Sequence, residues 1–227
     1  MSLREIFLKG KSTTPKGEFW AVRNASFDVH AGEAVGLVGA NGQGKSTLLK
    51  LIAGVLLPDE GSVTVRGKVA PMIELTGGFV GDLSARQNIY LVGGVHGLSK
   101  SQLDERLDEV VTFADVHDFL DTPFRHFSSG MKVRLGFALM TTLDAPTILV
   151  DEVLAVGDKA FRETCYTRME EMLGQGKTFF LVSHSERDLK RFCTRGLYMR
   201  RGNIVSDGPL DEVIDEYNRD SKDGKAR

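Results

Sequence analysis

The chain has 227 residues, enough for one large or two small domains, with 41% hydrophobic and 26% charged residues and a net charge of -2. That balance gives no support to a nucleic-acid-binding surface, and no stretch approaches the ~20 apolar residues of a membrane span. The two cysteines, Cys165 and Cys193, lack metal-type spacing and read as inert, reduced thiols.

The first segment, Met1 to Lys11, carries Arg4, Glu5, Lys9 and Lys11 and has no apolar run long enough for a signal peptide. Any membrane part is therefore expected from another chain. Ala34–Val38 is short and apolar on both faces, as buried parallel strands are. Thr147–Val150 and Thr178–Val182 read the same way. Ligands in parallel α/β sheets bind at the carboxyl ends of strands, so the turns after these three carry the interest.

The turn after the first strand is Gly39-Ala-Asn-Gly-Gln-Gly-Lys-Ser46, which fits G-x-x-x-x-G-K-[ST] and runs into a helix pattern over Ser46–Ala53 closed by Gly54. Glycines let backbone N–H groups converge on phosphate oxygens, and the helix N-terminus adds partial positive charge. Gly39, Asn41, Gly42, Gly44, Lys45, Ser46 and Thr47 are the candidate phosphate contacts, with Lys45 reaching the β- and γ-phosphates and Ser46 ligating Mg²⁺. The bland alternative is a glycine-rich turn before an ordinary helix, which the strand in front and the Lys-Ser pair disfavour.

From about Gly78 to Thr142 the pattern turns helical. Ser99 and Gln102 form a capping box ahead of Leu103, Leu107, Val110 and Val111, and the segment reads as an insertion on the α/β core. Within it, Ser128-Ser129-Gly130 precedes a helix carrying Val133, Leu135, Phe137 and Leu139. By itself this is a plain N-cap and a plausible anion site.

The second strand ends in Asp151-Glu152. Adjacent carboxylates at a strand tip repel each other unless a cation or a proton is shared. Beside a phosphate loop, Asp151 is expected to hold Mg²⁺ and Glu152 to polarise an attacking water. The third strand ends in Ser183-His184. A lone histidine is more often structural, but one ending a strand of a nucleotide-binding sheet is a candidate hydrogen-bond partner for the γ-phosphate or the water. Leu197–Arg200 and Asn203–Val205 flank Arg201-Gly202 as a β-hairpin, and Pro209 opens a last short helix with Val213, Ile214 and Tyr217 on its apolar face. Arg219–Arg227 reads as a frayed, charged tail.

In this order the motifs resemble the ABC ATPases over nearly the whole chain. Phe127-Ser-Ser-Gly-Met131 is similar to the family's L-S-G-G-Q signature, about twenty residues ahead of Asp151, with Ser129 at the first glycine and Met131 at the glutamine. The resemblance implies an α/β P-loop NTPase (RecA-like) fold. Its parallel-sheet core would span about 1–77 and 143–218, with an antiparallel β subdomain, a helical subdomain over about 78–142 and a flexible tail over 219–227. It also implies a head-to-tail homodimer in which Ser128, Ser129 and Gly130 of one subunit cap ATP held by the other. Asp158 would lie in the D-loop at that interface, and Glu74 at the Q-loop position as a magnesium or coupling ligand. The tyrosine the family places near residue 10 is replaced by Gly10; Trp20, or its neighbour Phe19, then either stacks on adenine or packs under the next strand.

S-S-G-M, D-E-x-L-A-V-G-D and Ile73-Glu-Leu-Thr-Gly-Gly-Phe79 together look like the ATPases of bacterial polysaccharide exporters, for O-antigen, capsule, teichoic acid or cell-wall galactan. That implies ATP and Mg²⁺ as cofactors, ATP hydrolysis coupled to export, and a separate polytopic membrane subunit. It places the chain peripherally at the cytoplasmic face of the inner membrane. An ABC ATPase for a drug, lipid or peptide is the alternative; soluble relatives acting on DNA or ribosomes carry coiled coils or tandem ATPase domains, and no N-K-x-D motif suggests a GTPase. In the family the Gly77-Gly78-Phe79-Val80 region meets the membrane subunit, so Phe79 is either an anchor there or part of the helical insertion's packing. Too few residues follow the Pro209 helix for another domain of ~40 residues, so no direct glycan binding is expected.

Overall fold

A computed structural model describes residues 18–151 and 159–224. Among them, six strands form one sheet in the order β2-β3-β4-β1-β5-β6. They are β1 Ala34–Val38, β2 Val69–Met72, β3 Thr147–Asp151, β4 Thr178–Val182, β5 Arg195–Arg200 and β6 Asn203–Pro209. β2 to β5 run parallel, while β6 returns antiparallel to β5. The three strands read from the sequence thus occupy the centre, and burial on both faces explains why they are apolar throughout.

The two faces have separate cores. Val35, Leu37, Leu149, Phe180, Val182, Leu197 and Met199 pack with Leu48 and Leu49 of α1 (Lys45–Ile52). The alternate residues Ala34, Val38, Ile148, Val150, Phe179 and Leu181 face the larger cluster, which reaches the remaining helices. Gly36 has a φ that any residue tolerates, yet a Cβ there would lie 2.9 Å from Leu189 Cδ2 and 3.3 Å from Leu210 Cδ1. It is small because α6 (Glu186–Phe192) and α7 (Leu210–Lys222) lie directly on β1.

Between β2 and β3 lie α2 (Ala85–Val95), α3 (Lys100–Ala114) and α4 (Ser129–Thr141). Ser99 caps α3 with Gln102 in the expected box, and Ser84 with Gln87 forms a second box that the sequence reading passed over. Asn88 is wholly buried on α2; it accepts from the Val80 N–H and donates to the carbonyls of Val80, Leu83 and Ser84, tying the entry loop to the helix. A Cβ at Gly136 on α4 would collide with the Leu75 carbonyl, so this helix rides on the loop that carries Glu74.

Two boundaries differ from expectation. Pro209 ends β6 and sits at the N-cap of α7 rather than inside it. The helix then runs to Lys222, so Arg219–Lys222 is not frayed: Asp220 accepts from Arg200 and from the Tyr198 hydroxyl at 3.3 Å, and this anchor holds the last turn on β5. α5 (Lys159–Gly174) completes the helical layer.

Candidate functional site: a cleft at the sheet's carboxyl edge

The loop after β1 is shaped by backbone conformation. Gly42 and Gly44 have φ of 77° and 98°, and Gly39 lies at 155°. At Gly42 a Cβ would meet nothing, so the left-handed backbone alone demands glycine there. Gly39 and Gly44 are constrained twice, since a Cβ would also collide with the carbonyl oxygens of Met199 and Ala21.

Lys45 is 7% exposed, and its Nζ donates to the carbonyls of Gly39 at 2.7 Å and Ala40 at 3.0 Å. Ser46 Oγ donates to Asp151 Oδ2 at 3.0 Å, joining the start of α1 to the tip of β3. Asn41, Gly42, Gly44, Lys45, Ser46 and Thr47 line an open cleft of about 660 Å³. The lining also includes Phe19, Trp20, Ala21, Arg201 and Gly202, of which Ala21 packs against Gly44 and the Arg201–Gly202 turn bonds to Gln43.

Trp20 is half-buried; the Arg23 guanidinium lies 5.6 Å from its ring centroid, and its indole Nε1 is buried with no hydrogen-bond partner among the described residues. Phe19 is 82% exposed. The residue-level fit to a nucleotide is therefore good: a glycine cradle, a buried lysine, a hydroxyl and a carboxylate that are both oxygen ligands suited to Mg²⁺, and two aromatic residues in the same lining.

His184 is exposed two residues past the end of β4, between the tips of β3 and β1. Its loop is stiffened by the Ser185 N–H donating to Ser183 Oγ at 3.0 Å, and Ser185 caps α6. Behind that helix, the Tyr166 hydroxyl donates to buried Asp188 at 2.7 Å; burial and this bond push the tyrosine up to about 12.

Glu74 sits on the exposed loop after β2 and pairs with Lys50 of α1 at 3.6 Å. Ser128 caps α4, accepting from the Met131 N–H at 3.2 Å. Ser128 and Ser129 are exposed and, with Gly130, stand outside the cleft lining. Glu152 and Asp158 lie outside the described residues.

Phe79 does not stand free as an anchor. Its ring stacks on Phe124 with centroids 4.8 Å apart, inside the helical cluster, while Val80 is exposed. Sequence reasoning also missed Gln43, a largely buried polar residue in the loop whose Oε1 accepts the Arg201 N–H and whose carbonyl accepts the Gly202 N–H at 3.2 Å. The one available signal was a glutamine flanked by two glycines.

A parallel sheet with a glycine loop and helix N-terminus after one strand, and a carboxylate at the tip of the next strand but one, defines the P-loop NTPase class. The family profile described as "ABC transporter" matches residues 22–155, more than half of the chain. The chain belongs to the ABC transporter family.

It is similar to the O-antigen export system ATP-binding protein RfbB of Klebsiella pneumoniae, 40% identical over 200 residues, covering 88% of this chain and 81% of that one. It is also 41% identical over 216 residues to the teichoic acids export ATP-binding protein TagH of Bacillus anthracis, covering 95% of this chain and 38% of the relative. For the ABC transporter protein AbcA of Aeromonas salmonicida the identity is 40% over 201 residues, with coverage of 88% and 65%. The chain thus spans between 38% and 65% of the length of these last two relatives. A solved ATP-binding subunit of an ABC transporter superposes with a TM-score of 0.77 at 25% identity, covering 87% of each chain. A dimeric ATP-binding cassette solved in a post-hydrolysis state with ADP and Pi gives a TM-score of 0.75 at 22% identity, covering 88% and 94%, a likeness of fold.

Proposed function

We propose that this chain is the ATP-hydrolysing subunit of an ABC transporter that exports a lipid-linked bacterial cell-surface polysaccharide. The observation that carries the ATPase reading is the Ser46–Asp151 hydrogen bond beside buried Lys45. It assembles a hydroxyl, a carboxylate and a cation from two strand ends, as phosphoryl-transfer sites require. The export reading is supported by the named functions of the O-antigen and teichoic acid relatives.

In this reading the glycine loop and the α1 N-terminus hold the phosphates of ATP, Ser46 and Asp151 hold Mg²⁺, and the metal supplies charge neutralisation there. Lys45 neutralises the phosphates, Glu152 orients water and accepts its proton, and His184 donates or accepts a hydrogen bond at the same end. Trp20 offers its ring to adenine. Glu74 serves as a ligand or coupling residue at the loop that Gly136 lets α4 touch. The proposed unit is one nucleotide-binding domain with its helical part over about 78–142.

The placement of Ser128, Ser129 and Gly130 outside the cleft fits a head-to-tail homodimer, in which one subunit's signature and Asp158 face the other's nucleotide. No helix among the described residues is long and apolar enough to cross a membrane. The proposed partner is a polytopic membrane subunit on a separate chain, with this chain peripheral at the cytoplasmic face of the inner membrane.

Glu152→Gln tests the engine. ATP should still bind and favour the dimer, while turnover falls by ~10²–10⁴-fold, the usual worth of a positioned general base. Turnover near the wild-type rate would refute the role of Glu152. Cargo is tested in cells lacking the chain, which should retain lipid-linked polymer inside and be rescued by the wild type but not by Glu152→Gln. Normal surface polysaccharide in those cells would reject export of this cargo while leaving the ATPase intact.

A further inference from the structure

The β5–β6 hairpin turns through two residues, since Arg200 pairs with Asn203. Both central residues have positive φ, 50° at Arg201 and 77° at Gly202. Two-residue hairpins of this kind favour Asn-Gly or Gly-Gly, because a longer side chain in the left-handed region costs energy. Arginine is a poor choice for the turn itself. Strain of this sort persists where the surroundings over-determine it, and it concentrates at functional sites.

The surroundings do over-determine it. The Arg201 N–H donates to Gln43 Oε1, and the Gly202 N–H donates to the Gln43 carbonyl at 3.2 Å. The Gly202 carbonyl accepts from the Arg23 N–H at 2.7 Å, and the Arg201 carbonyl accepts from Asn203 Nδ2 at 2.8 Å. The peptide groups of the turn are thereby bolted to the glycine loop on one side and to the Trp20–Arg23 segment on the other. The result is that Arg201 is held in the lining of the cleft.

Charge makes this placement informative. Among the described residues that line the cleft, Lys45 and Arg201 are the charged ones, and both are positive. With the Asp151 carboxylate bonded to Ser46, the site sets two cations beside one described carboxylate, in a chain whose net charge is -2. Lys45 is buried at the loop's end, next to Ser46 of the Ser46–Asp151 pair; Arg201 joins the same lining from the hairpin turn that Gln43 holds. A guanidinium on a rigid turn is a fork of donors suited to a phosphate.

We infer that Arg201 is a second cationic contact for the nucleotide, taking phosphate oxygens from the hairpin turn bonded to the glycine loop. The inference rests on the reading of this cleft as the nucleotide site. It assigns the hairpin a part in binding, beyond closing the sheet.

The test uses Arg201→Gly. Glycine relaxes the positive φ and keeps the N–H to Gln43, so it removes the guanidinium with least harm to the turn; a melting curve without nucleotide verifies the fold. Binding of ATP and of inorganic tripolyphosphate is measured by calorimetry at two salt concentrations, with Lys45→Ala and Arg201→Lys in parallel. The expected result is ~10-fold weaker binding of both ligands in Arg201→Gly, the scale of one charge-assisted hydrogen bond in an open cleft. Salt dependence should shrink, and Arg201→Lys should recover part of the loss. If Arg201→Gly weakens ATP but not tripolyphosphate, the contact is with the nucleoside and the phosphate assignment is overturned. Wild-type affinity in Arg201→Gly, with binding lost in Lys45→Ala, overturns the inference and leaves the cleft standing. Wild-type affinity in Lys45→Ala removes the cleft reading and the inference together.

Discussion

The Ser46 hydroxyl donates to the Asp151 carboxylate across 3.0 Å, although the two residues are 105 positions apart in the chain. The bond spans the gap between the first helix and the tip of β3. Both groups are oxygen ligands suited to Mg²⁺, and their pairing holds them at one point. Asp151→Asn and Ser46→Ala should each raise the Mg²⁺ concentration needed for half-maximal ATPase by at least ~10-fold, since even outer-shell partners of a metal cost 10–100-fold. Chelation by EDTA should silence the wild type. Unchanged Mg²⁺ titrations in both variants would show that the metal is held elsewhere.

Trp20 is the single tryptophan, so its emission reports one place. One approach to its ring is taken by Arg23 at 5.6 Å, and the ring lines the cleft. Adenine stacking should shift the emission on ATP binding, and Trp20→Ala should weaken ATP by ~1–3 kcal/mol, the scale of base–aromatic stacking. Tripolyphosphate should leave emission unaltered. An unmoved spectrum together with undiminished ATP affinity in the alanine variant would return Trp20 to packing alone.

The stacking of Phe79 on Phe124 changes what its removal should do. Phe79→Ala should destabilise the isolated domain by ~2 kcal/mol, below the range for fully buried phenylalanines because this residue is only partly buried. Exposed Val80 is the better probe of a membrane partner: Val80→Asp should keep the melting temperature and basal ATPase while lowering export per ATP consumed. Thermal melts of the two variants separate these effects. A Phe79→Ala domain as stable as wild type would contradict the packing role.

Burial pushes both thiols from the ordinary 9.0 to about 12, with Arg134 pulling weakly the other way at Cys165. The folded state therefore binds these protons more tightly than the unfolded chain does. Their contribution is fully present below pH 9 and is lost as pH rises from 9 towards 12. Denaturant midpoints should fall over that window, and less steeply in a Cys165→Ala/Cys193→Ala variant. At neutral pH a thiol reagent should react only as fast as the protein opens. Rapid labelling of the native protein would show that the thiols are not buried.

The sequence by itself determined the central strands, the glycine loop, the helix caps at Ser99 and Ser128, and the strand-tip carboxylate. Each is written in a short window: a continuous apolar run, a fixed spacing, a polar residue three places ahead of its partner. Local signals of this kind survive without knowledge of the neighbours. Tertiary structure decided what depended on distant partners. Phe79 could have faced a partner or the interior until Phe124 was placed beside it. Arg219–Lys222 looked frayed because its anchors, Arg200 and Tyr198, lie about twenty positions back. Arg201 read as the tip of a hairpin because nothing near it in sequence names Gln43, 158 residues away, as the group that holds it over the cleft. A hydrogen bond across that span leaves no period or spacing in the chain; it exists only once the sheet has brought the β1 loop and the β5–β6 turn to the same edge.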